Sequence, residues 1–171
     1  MKEATIRLKV NGAWRRASVK ANETLLELLL GGLAVHSPKE GCGRGDCGAC
    51  TVLLDGKAVR SCLVLAMEAE GREVTTVEGV GGGQMHAVQE ECLARNVFQC
   101  GFCAPGMILA GAALLKKNSE PTKKEVREAL AGNLCRCTGY EPIVEAVMAA
   151  AKRRQASKVE GQRSKVGGRK G

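Results

Sequence analysis

Aromatic residues are nearly absent from this chain. Its 171 residues include one Trp, one Tyr and two Phe, 2% in all. Any core is therefore built from Ala, Val, Leu, Ile and Met within the 44% apolar fraction. Histidine is scarce too, with only His36 and His86, which argues against His-rich metal or acid–base chemistry. No apolar run approaches the roughly 18 residues of a membrane span. The longest, 107–115, meets Lys116 and Lys117 at once. The N-terminus alternates and lacks the charged start and apolar stretch of a cleaved signal peptide. No Ser/His/Asp set, paired-carboxylate pattern or phosphate loop offers bond chemistry.

Cysteine, by contrast, is abundant: there are nine. Without a secretory signal they point to metal or redox chemistry in the cytoplasm, not to a disulfide framework. The net charge of +8 is uneven, because residues 152–171 hold eight Lys/Arg and a single acid, Glu160. That segment has too little apolar surface to fold alone and reads as a disordered basic tail. With no aromatics among its charges, a solubilising or partner-contacting role is favoured over a nucleic-acid or membrane role.

Two halves follow from the pattern. Residues 4–19 read as a hairpin about Asn11-Gly12, 24–30 as a short helix, and 51–60 as a second hairpin about Asp55-Gly56. A further strand is expected at 73–77. This is a small α+β unit, residues 1–79. The run Gly79-Val80-Gly81-Gly82-Gly83 then breaks the chain. Helical periodicity follows, with helices expected at 84–95, 105–117, 122–131 and 140–151, so that 84–151 forms a second unit. Thr122-x-x-Glu125 and Thr138-x-x-Glu141 read as capping boxes. Units this small usually need a metal, a disulfide or an intimate partner.

Cys42, Cys47, Cys50 and Cys62 have the spacing C-x4-C-x2-C-x11-C, and the first three match the plant-type [2Fe–2S] pattern. Gly41, Gly43, Gly45 and Gly48 suit a loop that wraps a cluster and turns N–H groups toward sulfur. Zinc and a disulfide knot are weaker readings. Gly43-x-Gly45-x-x-Gly48 also fits a dinucleotide fingerprint, but no helix follows it and cysteines interrupt it. Cys100, Cys103, Cys135 and Cys137 form a second quartet, for which zinc remains a fair competitor. Cys103 and Cys137 each precede an expected helix, and two helix N-termini would favour an anionic cluster. Cys92 is left over and reads as a buried structural thiol.

Three stretches, 41–51, Gln99-Cys-Gly-Phe-Cys-Ala-Pro-Gly-Met107 and Asn133-Leu-Cys-Arg-Cys-Thr-Gly-Tyr140, resemble the iron–sulfur subunit of the molybdenum hydroxylases, the xanthine oxidase family. The resemblance covers about residues 3–151. It implies an N-terminal β-grasp ferredoxin-like domain and a C-terminal four-helix domain, each with one [2Fe–2S] cluster held by its quartet. It also implies an electron-transfer subunit of an oxidoreductase. A large partner subunit would hold a molybdenum–pterin cofactor, often with FAD on a medium subunit, in a hetero-oligomer. Gln99 resembles the glutamine that hydrogen-bonds the pterin, and Cys137 the cluster ligand nearest to it. Ala104 stands where the family often has Thr. Arg44 lies in the first loop where an acidic or apolar residue is common, and its charge is expected to raise the first cluster's potential. The alternatives are a free-standing two-cluster ferredoxin and a zinc-stabilised nucleic-acid-binding module. The substrate of the assembled enzyme is not legible in this chain.

Overall fold

The computed structural model describes the backbone of residues 3–167 and the side chains of residues 3–154. Strands β1 (Glu3–Val10) and β2 (Ala13–Lys20) form the first hairpin. Asn11 and Gly12 both take positive φ, 48° and 85°, as a two-residue turn matched to strand twist requires. β3 (Thr51–Leu54) and β4 (Lys57–Arg60) repeat the device with Asp55 and Gly56 at 49° and 80°. β5 (Glu73–Thr75) pairs parallel to β1 and antiparallel to β3, giving the mixed order β2-β1-β5-β3-β4. This is the β-grasp arrangement the resemblance implied.

Ile6, Leu8 and Val10 alternate into the core while Arg7 stays on the other face, over the Trp14 ring at 4.4 Å. Across the inner face lies α1 (Leu25–Glu27), entered through a capping box of Thr24 and Glu27. It widens at once into a π-helical turn, Leu28–Gly32. The reason is a leucine-dense sequence: Leu25, Leu26, Leu28 and Leu29 are all buried. At about 1.5–3 kcal/mol for each buried leucine, these contacts outweigh the poorer hydrogen bonding of a wide turn.

The glycine-rich break is folded into turns and anchored. Asn11 exchanges two hydrogen bonds of 2.8 Å with Thr76, and a Cβ on Gly79 would fall 2.2 Å from Asn11 Oδ1. Four helices follow: α2 (Ala87–Ala94), α3 (Ala104–Lys117), α4 (Lys123–Leu130) and α5 (Glu141–Gly167). They close a second core around Met107, Leu115, Val126, Leu130, Ile143 and Val147, with Cys92 buried inside it. α3 is central, as its all-round apolar sequence predicts. It packs on β3 and β4 as well as on α2, α4 and α5. Gly111 permits the α3–α5 approach, since a Cβ there would sit 2.9 Å from Val147.

Two expectations need correction. α2 begins at Ala87, capped by the His86 imidazole, which accepts from the Val88 N–H at 3.2 Å. The Thr138–Glu141 capping box does not form: Gly139 and Tyr140 both take positive φ, and α5 starts only at Glu141, whose carboxylate meets Lys123 and Arg127. α5 runs to Gly167, into the segment read from the sequence as a basic tail. Extending a formed helix costs far less than nucleating one, so a segment unable to fold alone can still prolong its neighbour. Residues 168–171 of that tail lie outside the described residues. No helix among the described residues is long and apolar enough to cross a membrane.

Candidate metal centres

The first site is built from one loop and one hairpin. The loop bearing Cys42 and Cys47 leads directly into β3, with Cys50 at its end. The β3–β4 register pairs Thr51 with Arg60, which brings the next turn, Ser61–Leu63, alongside Cys50. Ser61 ties the two together through its N–H and hydroxyl, both donated to the Cys50 carbonyl. Cys62 Sγ therefore lies 3.4 Å from Cys50 Sγ, both buried. Cys42 and Cys47 form the outer pair, in direct side-chain contact and half-exposed. A Cβ on Gly41 would fall 2.9 Å from Cys47 Sγ, so a larger residue there would push into the sulfur cradle.

The electrostatics divide the same four thiols. Backbone N–H groups of Cys47, at 3.4 Å, and of Arg44 and Asp46 hold the Cys42 thiol at about 6. Burial, then the Cys50 side chain, pushes Cys62 up to about 11, offset in part by the Gly45 N–H. Only a thiolate binds metal, so the cradle favours ionisation at its rim and leaves its buried floor to be ionised by the metal itself. The expected influence of Arg44 is muted, because it is exposed and paired with Asp46 at 2.6 Å.

The second site is assembled from two short doublets. Cys100 precedes α3, Cys103 is the residue that caps it, and Cys135 and Cys137 lie between α4 and α5. Cys137 Sγ is 3.6 Å from Cys100 Sγ, an exposed pair. Cys103 and Cys135 form the inner pair, in side-chain contact. Burial, then Cys135, pushes Cys103 up to about 12. Burial also acts to raise Cys135, but the Thr138 hydroxyl, 3.1 Å from its sulfur, and the N–H groups of Thr138 and Cys137 bring it below its ordinary value. The Phe102 N–H does the same for Cys100.

Cys103 stands at the N-terminus of α3 as expected, but the α5 end does not supply its donors to this site. At α5, the Glu141 N–H goes to Gly139, residue 142 is proline, and the Ile143 and Val144 N–H groups both go to the Tyr140 carbonyl. The hydrogen bonds to sulfur come from the loops. Thr138 and Tyr140 are the contributors that spacing alone did not single out. Thr138 read as a cap, and Tyr140, whose Oη accepts the Cys135 N–H at 2.9 Å, read only as a flank.

The thiol pairing tests what the sites can hold. Two thiolates sharing one tetrahedral metal, with bonds of about 2.3 Å, lie about 3.7 Å apart. Cys50 with Cys62 and Cys100 with Cys137 have that spacing, and Cys42 with Cys47 and Cys103 with Cys135 are the remaining neighbouring pair of each site. A binuclear cluster needs two thiolates on each metal, and in that respect the residues of both sites fit [2Fe–2S] clusters.

The sites are joined. The Leu134 N–H donates to the Cys47 carbonyl at 2.8 Å, linking the residue before Cys135 to a first-site cysteine. On the far side, Gln99 Nε2 donates to the Cys137 carbonyl at 3.1 Å, so these two residues meet at the surface. Cys92 stands apart, pushed up to about 12 by burial in the helical core, as an inert thiol should be.

Two family models match the chain: a 2Fe-2S iron-sulfur cluster binding domain over residues 8–79 and a [2Fe-2S] binding domain over residues 76–148. The chain is 49% identical over 145 residues to the nicotine 6-hydroxylase small subunit of Paenarthrobacter nicotinovorans, covering 85% of this chain and 88% of that one. It is 44% identical over 154 residues to the nicotinate dehydrogenase small FeS subunit of Eubacterium barkeri, covering 90% and 98%. Among solved structures, quinoline 2-oxidoreductase from Pseudomonas putida 86 superposes with a TM-score of 0.84 at 40% identity, covering 90% of this chain and 98% of that chain.

Proposed function

The chain belongs to the iron–sulfur small subunits of the xanthine oxidase-type molybdenum hydroxylases, and from that premise we propose that it relays electrons from a molybdenum–pterin centre on a large partner subunit toward FAD or another acceptor. Cys42, Cys47, Cys50 and Cys62 would hold one [2Fe–2S] cluster, and Cys100, Cys103, Cys135 and Cys137 the other. The observation that carries this assignment is the two-and-two pairing of the thiols in each site. Each cluster, when bound, takes up and releases one electron at a time, so a two-electron oxidation elsewhere is drained in steps.

The chain's own residues supply direction. Gln99 and Cys137 lie exposed together, where the Gln99 Oε1 is open to a polar group of the pterin. The inner pair Cys103 and Cys135 lies next to the Leu134–Cys47 hydrogen bond, a short bonded route into the first site. Cys42 and Cys47, half-exposed, then face outward toward an FAD-bearing medium subunit. N–H and hydroxyl groups around the sulfurs favour the more negative, reduced state. We assign residues 1–79 and 84–151 to the two cluster domains. Nine free thiols fit the reducing cytoplasm. The substrate pocket belongs to the partner.

Purification of the complex tests this. A large molybdenum-containing polypeptide should co-purify, with about four irons per small subunit and two distinct paramagnetic signals after dithionite reduction. Zinc in place of iron, or a single signal, would defeat the cluster assignment. A chain that purifies alone with both signals would leave the free-standing ferredoxin as the correct reading.

A further inference from the structure

The two halves are tied at one buried side chain. Asn133 is 2% exposed. Its Nδ2 donates to the Gly48 carbonyl at 2.9 Å and to Thr51 Oγ1 at 3.1 Å. Thr51 Oγ1 gives its own hydrogen to the same carbonyl at 2.6 Å and accepts from Arg60 at 2.8 Å. Arg60 also donates to the Gly132 carbonyl. Residues 132–133, which lead into Cys135, are thus gripped by the framework that carries Cys47 and Cys50. The space is as restricted as the bonding. A Cβ on Gly48 would fall 2.4 Å from the Gly132 oxygen, and one on Gly106 would fall 2.6 Å from Asn133 Nδ2. The next residue, Leu134, makes the hydrogen bond to Cys47. No hydrogen bond of Asn133 goes to a thiol, so cluster ligation alone gives no reason for a buried amide here.

We propose that Asn133 is a positioning residue that fixes the separation and relative orientation of the two cluster sites, by holding Leu134 against Cys47. The inference rests on the assignment of the eight cysteines as two cluster-binding sets. Its chemistry allows a clean probe. In Asn133→Ala, the Gly48 carbonyl keeps the N–H and hydroxyl of Thr51, and Thr51 keeps Arg60. No buried polar group is orphaned, so the tie is lost without the larger penalty of an unsatisfied partner.

The experiment compares wild type and Asn133→Ala in the assembled, fully reduced holoenzyme. Magnetic coupling between two reduced clusters falls with the cube of their separation and depends on their orientation. The variant should keep its iron content and the two individual cluster signals, while the coupling splitting is lost or spread over many values. Equilibration of an electron between the clusters should slow in parallel. Splitting identical to wild type, with iron retained, would overturn the inference. A wild type lacking two cluster signals would instead defeat the ligand assignment beneath it. Should Asn133→Ala not accumulate as folded protein, Arg60→Met decides from the open edge of the same junction. Spread splitting there supports the inference and unchanged splitting overturns it.

Discussion

In the N-terminal half a single long loop and a hairpin deliver four thiols, and the Cys42 sulfur is served chiefly by backbone N–H groups. In the C-terminal half two short doublets deliver them, and a side chain, Thr138, takes over part of that service at Cys135. The difference follows from chain length. The nine-residue stretch from Cys42 through Cys50 has enough backbone to turn its own amides inward. In the doublets the N–H groups of Phe102, Cys137 and Thr138 also reach sulfur, and the Thr138 hydroxyl adds to them. Each site nevertheless keeps an inner and an outer pair. The first site should therefore resist tuning by side-chain substitution, and the second should respond to it.

The largest expected effect breaks the comparison into its parts. Cys50→Ser and Cys103→Ser each remove a buried ligand from a different half. Each should reduce iron from about four to about two per chain and eliminate one paramagnetic signal while the other persists. Loss of both signals from either variant would show that the halves cannot load separately.

Next in size is a test at the boundary between them. His86 caps α2 through a neutral imidazole, and burial, then Arg154, lowers its pKa. Glu90 acts the other way, and Asp55, Glu73 and Lys116 line the same cleft. The unfolded chain therefore takes up the proton first. This contribution is complete above about pH 6.5 and declines as pH falls toward the lowered folded value. His86→Asn keeps a capping side chain without a titrating group. Urea unfolding across pH 5–7.5 should show an acid-side loss of stability in wild type that is missing from the variant.

Thr138→Val sharpens the contrast directly. It preserves shape and removes the hydroxyl beside Cys135. One hydrogen bond of about 1 kcal/mol corresponds to on the order of 40 mV for a one-electron couple. Potentiometric titration should show the second cluster lowered by that amount and the first unmoved. Arg44→Glu is the smallest effect. It should lower the first cluster's potential, by less than Thr138→Val lowers the second, and less again at high salt, because Arg44 is exposed and already paired with Asp46.

What the sequence made legible was local. Asn11-Gly12 and Asp55-Gly56 announced their hairpins because only a few residue types accept those turn angles. The apolar run over 107–115 announced a central helix, and cysteine spacing separated the two quartets. What stayed hidden depended on partners far along the chain. Asn133 finds Gly48 across 85 residues, and nothing in its own neighbourhood signals that meeting. Thr138 was misassigned for a related reason: the capping pattern is local, but a nearby sulfur offered a competing use for the hydroxyl.

α3 lies on β3 and β4 as well as within the helical bundle, so it covers part of the sheet while forming part of the second core. Anyone trimming this protein to a minimal one-centre wire by cutting at the glycine run would strip the sheet of that cover and leave a sticky face behind. A miniaturised version has to bring a surrogate for that helix or have the exposed strands resurfaced.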